Sequence, residues 1–365
     1  MKVLFVTNLP SPYRVDIFNK LGCLCDLTVC YERHSASDRD TSWKNKSERK
    51  YTEIFCDLKP LGTDKSMGSD IISKIRSIKH DKLIIAGYAS PSVMLAITYC
   101  RLTGREYIIE SDGGFDKKDK FPKLILKKFL LLGAKAHFTT CDKHVRYLEK
   151  LGVKKDKIYK YPFSSLWQND ILPMLPTKAE KDAIKAELDI PYDKVVLSVG
   201  QLIHRKGYDV MLSAARSIDN NTGIYIIGGQ PTHSYIEYKQ QHNLTNVYFV
   251  DFMSKEKLKK WYALADVFVL PTRSDIWGLV INEAMAAGLP IVTTDMCMAG
   301  LEMVTDDING YIVPVENSTI LADRINAILN HDDIRKEMSE NSLKKIQEYT
   351  IENIAKRHIE ILEIL

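Results

Sequence analysis

Short apolar runs rich in β-branched residues alternate with helical patterns along most of this chain, and that alternation limits the fold more than any other feature. In the first half the runs predict strands at residues 2–8, 25–32, 82–88 and 105–111. The helical patterns lie at residues 12–22, 66–79, 91–103 and 121–133. Because helices separate strands that are apolar along most of their length, the pattern predicts a parallel sheet covered on both faces.

The alternation breaks near residue 165 and then starts again. Prolines interrupt a polar stretch at residues 161–194, which carries one charged helix at 177–189. A second set of strands is predicted at residues 194–200, 223–229, 246–252, 265–271, 289–295 and 310–315. Two amphipathic helices, at about 318–348 and 350–364, end the pattern.

A chain of 365 residues with two such series is predicted to form two α/β domains. We expect the first at residues 1–165 and the second at 166–348, with 349–365 as a helix that returns to the first domain. Ligands of open parallel sheets bind beyond the carboxyl ends of the strands, so the candidate residues should lie there.

Composition excludes several classes of protein. A hydrophobic content of 45% is ordinary for a globular chain, and no apolar run approaches the roughly 20 residues that cross a bilayer. The opening residues MKVLFVTN predict a strand rather than a signal peptide, because their apolar run is short. The seven cysteines include no CxxC pair, which argues against a zinc site or a disulfide framework and favours a reducing cytoplasmic compartment.

Charge is distributed unevenly between the two halves. Residues 1–165 hold 31 Lys and Arg against 19 Asp and Glu, whereas the remaining 200 residues hold 20 against 28. A basic first half indicates an anionic partner. Nucleic acid is not that partner by this reasoning, because the second half is acidic and no recognised nucleic-acid-binding module is present.

Two adjacent cations follow the first strand of the second series. In SVGQLIHRKGYDVMLSAA, residues 198–215, Arg205 and Lys206 precede a helix predicted to start near Gly207. Cations beside the free N–H groups of a helix N-terminus suit a diphosphate. The alternative is an ordinary solvated loop, since Lys and Arg are usually exposed.

The stretch PTRSDIWGLVINEAMAAGLPIV, residues 271–292, places a glutamate inside an otherwise apolar helix. Gly278 and Leu279 enter that helix, where the first N–H groups can bind phosphate oxygens. Glu283 can accept hydrogen bonds from two neighbouring hydroxyls, as a nucleotide ribose offers them. Alternatively it satisfies a nearby backbone group or lysine. No GxGxxG follows a strand and no GxxxxGK[ST] occurs, so dinucleotide and P-loop sites lack their signatures.

These segments resemble glycosyltransferase family 4, whose members are retaining enzymes that use nucleotide sugars. The resemblance is carried by SVGQLIHRKGYDVMLSA, NVYFVDFMSKEKLKKWYALADVFVLPT, SDIWGLVINEAMAAGLPIV and NGYIVPV, which cover nearly all of residues 194–316. The first half resembles the family more loosely, through NLPSPYRVDIFNKLG and YIIESDGGFDKKDK. The resemblance implies the GT-B fold, in which two Rossmann-like domains with parallel sheets face a central cleft.

The resemblance also implies a donor site in the second domain. Arg205 and Lys206 would hold the diphosphate and Glu283 the ribose hydroxyls. Asp275 takes the first position of the family's Glu-x7-Glu pattern, whose carboxylate grips the donor sugar. Aspartate is one methylene shorter, which indicates either a different donor or a loop that compensates. The other implied donor-side residues are Gly200, Met253 beside the base, Gly278 and Leu279 at the phosphates, and Gly300 in a loop near the sugar.

In the first half, Asp112 ends the strand YIIESDGG, where many relatives carry a histidine. It is a candidate for proton transfer from the acceptor, although Asp-Gly-Gly is equally expected as a plain turn. Arg14 replaces part of the glycine-rich loop that many relatives have after the first strand. It is interpreted as a solvated first-turn helix residue, with contact to the diphosphate or the acceptor as the alternative.

A basic segment follows at residues 115–137. It combines apolar residues with Lys117, Lys118, Lys120, Lys123, Lys127, Lys128 and Lys135. Such an amphipathic helix suits an anionic membrane surface. The alternative is a helix packed on its own sheet with its lysines in water.

The resemblance therefore implies a metal-independent, retaining, hexosyl-type glycosyltransferase that needs no cofactor besides its nucleotide-diphosphate-sugar donor, with UDP favoured over GDP. No Asp-x-Asp element stands at a strand end to hold a divalent metal. The predicted acceptor is a lipid-linked saccharide at the cytoplasmic membrane leaflet, in surface-polysaccharide biosynthesis. A nucleotide-sugar 2-epimerase and a catalytically degenerate nucleotide-sugar-binding protein are the alternatives.

Overall fold

The computed structural model describes residues 1–34, 48–61, 65–115 and 119–365. The chain divides into two compact units. Unit 1 comprises Met1–Trp167 and Tyr349–Leu365, and unit 2 comprises Gln168–Glu348. Each unit is built on one parallel sheet with helices packed against it, so the predicted α/β fold class is confirmed. Lys117 and Lys118 of the predicted basic segment lie outside the described residues.

Unit 1 contains one parallel sheet and one short hairpin. Its strands are β1 (Lys2–Thr7), β2 (Asp26–Tyr31), β3 (Thr52–Phe55), β4 (Lys59–Leu61), β5 (Lys65–Met67), β6 (Lys82–Ala86), β7 (Ile108–Ser111), β8 (Ala136–Thr139) and β9 (Ile158–Lys160). The parallel sheet has the order β3-β2-β1-β6-β7-β8-β9, and β4 pairs with β5. The sequence pattern does not predict β3, β4, β5, β8 and β9, because segments such as TEIF, AHFT and IYK are too short to show a strand period.

The helices that follow the strands of unit 1 are α1 (Pro12–Gly22), α2 (Asp70–Ser77), α3 (Pro91–Leu102), α4 (Phe121–Leu132) and α5 (Asp142–Lys150). Four of the five begin or end close to the predicted residues, whereas α5 is not predicted. A proline stands in the first turn of α1, α3 and α4, where its missing N–H has no intrahelical acceptor to lose.

Unit 2 contains all six predicted strands, shortened at their ends. They are β10 (Lys194–Val199), β11 (Thr222–Ile227), β12 (Val247–Val250), β13 (Val267–Leu270), β14 (Ile291–Thr294) and β15 (Gly310–Val313). The sheet is parallel, with the order β12-β11-β10-β13-β14-β15. Nearly every residue of β10, β11, β13 and β14 is buried, which explains their continuous apolar runs.

The helices of unit 2 are α6 (Lys178–Glu187), α7 (Tyr208–Ala215), α8 (His233–Gln241), α9 (Lys255–Leu264), α10 (Leu279–Ala286), α11 (Met298–Met303), α12 (Ser318–Leu329) and α13 (Asp332–Ile346). The last helix of the chain, α14 (Ile351–Ile364), belongs to unit 1 and packs on α1.

The helix predicted at 318–348 is in fact two helices, α12 and α13, so that prediction is wrong. The break falls at Asn330 and His331. Asp332 and Asp333 open α13, where negative charge is favoured at the positive end of the helix dipole. Asparagine and aspartate favour helix ends over helix interiors, and this preference outweighs the continuous amphipathic pattern.

Two buried histidines of unit 1 predict how stability depends on pH. Burial lowers the pKa of His137 and of His144 from 6.5 to about 4. Between those values the unfolded chain takes up protons that the folded chain does not bind, so stability falls as pH falls through this window. Each histidine should account for roughly 2 kcal/mol at pH 5.

We therefore expect a His137→Gln/His144→Gln variant to gain several degrees in its midpoint of thermal unfolding relative to the wild type between pH 7 and pH 5, because glutamine does not titrate. Circular dichroism of both proteins measures this change. Groups that the two proteins share, such as Glu110 with its pKa of about 2, cancel in the difference. An equal difference between variant and wild type at both pH values would contradict the assignment.

Candidate functional site

In unit 2 the order of strands reverses between β10 and β13. β11 and β12 extend from one side of β10, whereas β14 and β15 extend from the far side of β13. Open parallel sheets bind ligands at this switch point, beyond the carboxyl ends of the two strands. The loops after β10 and β13 approach each other closely, because a β-carbon at Gly207 would lie 2.0 Å from the carbonyl oxygen of Pro271. Gly207 has a φ of 72°, which also favours glycine.

Arg205, Lys206 and Asp275 meet at this point. The two cations lie in the 3-10 turn His204–Lys206, and Asp275 follows β13. The Lys206 Nζ donates to Asp275 Oδ2 at 2.5 Å, and Arg205 Nη1 lies 3.6 Å from Asp275 Oδ1. Lys206 is buried and the Asp275 side chain is 14% exposed, whereas the Arg205 side chain is 46% exposed. Asp275 is therefore the counter-ion of both cations.

Arg273 is a residue of this site that sequence reasoning missed. Its guanidinium donates to both carboxylate oxygens of Asp209, at 2.8 and 2.6 Å, and to Glu316. Its backbone N–H donates to the Arg205 carbonyl at 2.8 Å, and its Nη1 donates to the His204 carbonyl at 2.6 Å. Arg273 thus joins the two loops. The available signal was its place in PTRS, directly after a buried strand.

The turn into α10 is held by buried contacts. The Trp277 indole donates to Asn282 Oδ1 at 2.8 Å, and the Cys297 thiol donates to the Trp277 carbonyl at 3.2 Å. Gly278 has a φ of 100°, and a β-carbon there would lie 2.9 Å from the Cys297 sulfur. Leu279 begins the helix, and the first N–H groups of a helix have no intrahelical acceptor. This turn therefore presents the positive end of α10.

Glu283 lies on α10, and its Oε2 accepts a hydrogen bond from the Tyr262 hydroxyl at 2.9 Å. Within the described part of the chain, Oε1 has no such partner. The structure thus supplies a tyrosine of α9, rather than the backbone group or lysine of the alternative interpretation. Burial raises the pKa of Glu283, and the hydrogen bond from Tyr262 opposes that shift.

A Glu283→Gln substitution should therefore stabilise the ligand-free protein at neutral pH. The carboxylate is disfavoured in the folded state, so its contribution to stability is lost as pH rises above the ordinary glutamate pKa. We expect the melting temperature of the variant to exceed that of the wild type by a few degrees at pH 8 and by less at pH 5, measured by calorimetry. An equal difference at both pH values would argue against a buried charge.

The remaining predicted donor-side residues lie in different surroundings. Gly200 follows β10, and its carbonyl accepts a hydrogen bond from Tyr208 at 3.1 Å. Met253 is half-buried in the loop after β12, an edge strand that ends at Val250 rather than at Phe252. Gly300 lies inside α11 rather than in a loop. A β-carbon there would be 2.4 Å from Thr293 Cγ2, which indicates close packing of α11 on β14.

In unit 1, Asp112 lies directly after β7. Its Oδ1 accepts hydrogen bonds from Arg14 Nη2 at 2.5 Å and from the Tyr161 hydroxyl at 3.2 Å. Its carbonyl accepts a hydrogen bond from the Thr140 hydroxyl at 2.9 Å. The Asp112 side chain is 30% exposed. The residue is therefore anchored on one oxygen and open to solvent on the other side.

Arg14 is buried, so its interpretation as a solvated helix residue is wrong. It is 7% exposed, and its second guanidinium nitrogen bonds Glu110. The rings of Tyr13 and Phe163 lie about 6 Å from its guanidinium carbon. A first-turn position on α1 does not reveal that two carboxylates at the end of β7 will neutralise it.

Two searches of the described ranges gave no candidates. No helix there is both long and apolar enough to cross a membrane. No group of three or more His, Cys, Asp or Glu there has an arrangement that holds a metal ion.

Comparison with known proteins bears on both units. Residues 180–345 match the family model described as glycosyl transferases group 1. An uncharacterised glycosyltransferase of Methanocaldococcus jannaschii is 32% identical over 178 residues, which are 47% of this chain and 45% of that protein. The N,N'-diacetylbacillosaminyl-diphospho-undecaprenol alpha-1,3-N-acetylgalactosaminyltransferase of Campylobacter jejuni is 20% identical, over 74% of this chain and 73% of that protein.

Solved structures are similar over the whole chain. Anabaena HepE in complex with UDP has a TM-score of 0.80 at 15% identity, and the match covers 100% of both chains. WaaG, a glycosyltransferase involved in lipopolysaccharide biosynthesis, has a TM-score of 0.70 at 15% identity, over 98% of this chain and 99% of WaaG. These likenesses confirm the GT-B fold class.

The matches to most of the curated relatives are partial. The chain spans about half the length of most of the curated relatives it matches. Together, the family match and the structural likenesses support a glycosyltransferase of GT-B fold.

Proposed function

We propose that this protein is a retaining, hexosyl-type glycosyltransferase of family 4 that moves a sugar from a nucleotide-diphosphate donor, preferably a UDP-sugar, to a lipid-linked saccharide. The observation that carries this proposal is the meeting of Arg205, Lys206 and Asp275 at the switch point of unit 2. Glu283 and the N-terminus of α10 belong to the strand-to-helix segment that follows β13.

The charges of unit 2 suit a leaving diphosphate. As the bond between the anomeric carbon and the diphosphate oxygen breaks, negative charge builds on the diphosphate. Arg205, Lys206 and the first N–H groups of α10 stabilise that charge without a metal ion or further cofactor. Since a phosphate competes with Asp275 for Lys206, donor binding frees the Asp275 carboxylate to accept hydrogen bonds from the sugar. This competition gives a role to Asp275, whose side chain is one methylene shorter than the glutamate of the family pattern.

The acceptor side needs a group that takes a proton. The acceptor oxygen attacks the anomeric carbon on the face that the diphosphate leaves, so the configuration is retained. The acceptor proton passes to Asp112, whose Oδ2 has no hydrogen-bond partner among the described residues. Support for a nucleotide with uracil comes from HepE, whose structure contains UDP. Support for a lipid-linked acceptor comes from the Campylobacter relative, whose name specifies a diphospho-undecaprenol acceptor.

A donor panel tests the proposal. A ligand that binds only the folded protein raises its melting temperature, so UDP-, GDP- and ADP-sugars should be compared by thermal shift. We expect UDP-sugars to give the largest shift and Glu283→Gln to abolish it. Glu32→Gln is a matched control, because Glu32 is a buried carboxylate of unit 1 whose pKa burial also raises. No shift with any nucleotide sugar would contradict donor binding.

The same panel separates the alternatives when product is analysed. A donor shift followed by a glycosidic product on a lipid-linked saccharide, with or without EDTA, supports the transferase. Release of free nucleotide without such a product would favour the 2-epimerase. Binding without any turnover would favour a degenerate binding protein.

We further propose that α4 docks on an anionic membrane at the cytoplasmic leaflet. Only Leu130 and Leu131 of α4 are buried. Phe121, Ile125 and Leu132 are 75%, 52% and 44% exposed. Exposed lysines flank this apolar stripe at Lys120, Lys123 and Lys128. The pattern argues against a helix that packs its apolar face on its own sheet, and it combines apolar area with charge that attracts acidic phospholipids.

Vesicle flotation tests this docking. With vesicles containing phosphatidylglycerol, Phe121→Ser/Ile125→Ser should weaken binding by about tenfold or more, because two apolar side chains no longer leave water. Added salt should weaken wild-type binding as well. Phe252→Ser is the control, since Phe252 of unit 2 is 70% exposed. Equal flotation of the double variant and the wild type would rule out α4 as the docking element.

A further inference from the structure

We propose that His358, Glu110 and Arg14 form a positioning chain that holds Asp112 in place, so that the C-terminal helix α14 takes part in the acceptor chemistry of unit 1. His358 Nε2 lies 2.8 Å from Glu110 Oε2. Glu110 bonds Arg14 Nη1 through its other oxygen, and Arg14 Nη2 reaches Asp112. This inference rests on the proposed transferase function, since only that function gives Asp112 a proton to accept.

The partners of His358 fix the orientation of its ring. Its Nδ1 lies 2.8 Å from the Ile354 carbonyl, and its Nε2 faces the Glu110 carboxylate. A carboxylate only accepts hydrogen bonds, so Nε2 is the donor to Glu110. The carboxylate is ionised, because the charge of Arg14 and the hydrogen bond from His358 outweigh burial and hold the pKa of Glu110 at about 2.

The four residues thus form a row in which each side chain bonds the next. The order is His358, Glu110, Arg14 and Asp112, so the Arg14 cation lies between two carboxylates. The side chains of the first three are 2%, 0% and 8% exposed, whereas that of Asp112 is 30% exposed. Among the described residues, the row also contacts the Tyr161 hydroxyl at Asp112, the rings of Tyr13 and Phe163 at Arg14, and the rings of Tyr161 and Phe138 at His358. The row therefore ends at the one member that a substrate can reach.

The row contains more buried charge than the packing of α14 requires. Buried ion pairs are often no more stabilising than apolar residues of the same volume. An apolar pair could therefore dock α14 on the sheet as well as His358 and Glu110 do. What an apolar pair cannot do is orient a guanidinium. Arg14 is a planar fork with one nitrogen on each carboxylate, so the position of Glu110 sets the direction of its second nitrogen toward Asp112.

The helix that carries His358 comes from the C-terminal end of the chain. Residues 349–365 follow the whole of unit 2, and they return to unit 1 through the Ile351 N–H, which donates to the Leu166 carbonyl at 2.8 Å. α14 packs on α1, the helix that carries Arg14. The last helix of the chain therefore completes the surroundings of Asp112, which precedes it by more than 200 residues.

Two substitutions within the row test the proposal in the full chain. Arg14→Lys keeps the charge but loses the planar fork that fixes the direction to both carboxylates, and His358→Gln removes the imidazole ring. Each should lower kcat for transfer by about 10- to 100-fold, because catalysis is sensitive to misplacement of about 1 Å. The donor KM and the thermal shift given by the donor should stay at wild-type values. His144→Gln is the matched control and should leave kcat unchanged, because His144 is a buried histidine of unit 1 whose ring bonds the Thr139 hydroxyl rather than a member of the row.

A spectroscopic measurement tests the row without any assay of activity. Nitrogen-15 and proton chemical shifts should report a hydrogen-bonded Nε2–H group of His358 in the wild type, and a weaker hydrogen bond in Glu110→Gln. A His358 whose Nε2 carries no proton in the wild type would overturn the inference, as would wild-type kcat in both variants of an active enzyme. If the wild-type protein bound no nucleotide-sugar donor, that result would instead overturn the proposed function.

Discussion

Replacing Lys206 by alanine is expected to lower kcat/KM for sugar transfer by about 10²–10³. Lys206 is the buried cation of the switch-point site, and its Nζ contacts Asp275 at 2.5 Å. A cation in a largely dry site stabilises a developing charge more than the half-exposed Arg205 can. We therefore expect Arg205→Ala to cause a smaller loss. Initial rates with the donor that gives the largest thermal shift provide the measurement.

Lys185→Ala is the control for Lys206→Ala, because it removes a buried lysine that lies away from the site. Lys185 is 8% exposed, and its Nζ donates to the Asp193 carbonyl at 2.5 Å, just before β10 begins. It therefore lies at the amino end of the sheet, opposite the switch-point site. The control should lose stability and keep its rate. If Lys206→Ala turned over at the wild-type rate, the leaving-group role of this cation would be refuted.

Replacing Asp112 by asparagine is expected to lower kcat by about 10²–10⁴, the range that general base catalysis contributes. Asparagine has nearly the same shape and can still accept the hydrogen bond from Tyr161. It cannot take the acceptor proton. The donor KM should not change, because the predicted donor residues all lie in unit 2. Single-turnover rates with saturating donor and a lipid-linked acceptor measure this loss directly.

Asp81→Asn is the control for Asp112→Asn. Asp81 is in the same unit, and its carboxylate accepts from the Lys2 backbone N–H at 2.7 Å, at the amino end of the sheet. The substitution changes one aspartate of unit 1 without reaching the carboxyl ends of the strands, so kcat should be unchanged. Asp112→Asn with a normal kcat would show that another group accepts the proton, and the row from His358 to Asp112 would then have no catalytic purpose.

Much of unit 2 follows from its sequence because its signals are local. Each apolar run of β-branched residues predicts its strand, and each strand end predicts where Arg205, Lys206 and Asp275 stand. In a parallel sheet all carboxyl ends share one edge, so residues that end different strands share that edge. What the pattern does not contain is the order of strands. That β10 and β13 are neighbours, and that Arg273 therefore joins their loops, is decided by pairing.

In unit 1, by contrast, the residues that surround Asp112 do not follow from local sequence signals. Asp112 is predicted as a candidate from its place at a strand end. Arg14 is wrongly predicted to be solvated, and no role is predicted for His358. Arg14 lies 98 residues from Asp112, and His358 lies 248 residues from Glu110. No period of 2 or 3.6 residues connects such positions.

The amino-acid sequence by itself determined the class of the fold, the positions of most of its strands and which side chains stand at their carboxyl ends. These depend on the periodicity and chemistry of neighbouring residues. Only the tertiary structure decided which of those side chains neutralise one another: Asp275 with Arg205 and Lys206, and Asp112 with Arg14. The reason is that the energy of a buried charge depends on the groups within a few ångströms of it in space, and folding brings those groups together from distant parts of the chain.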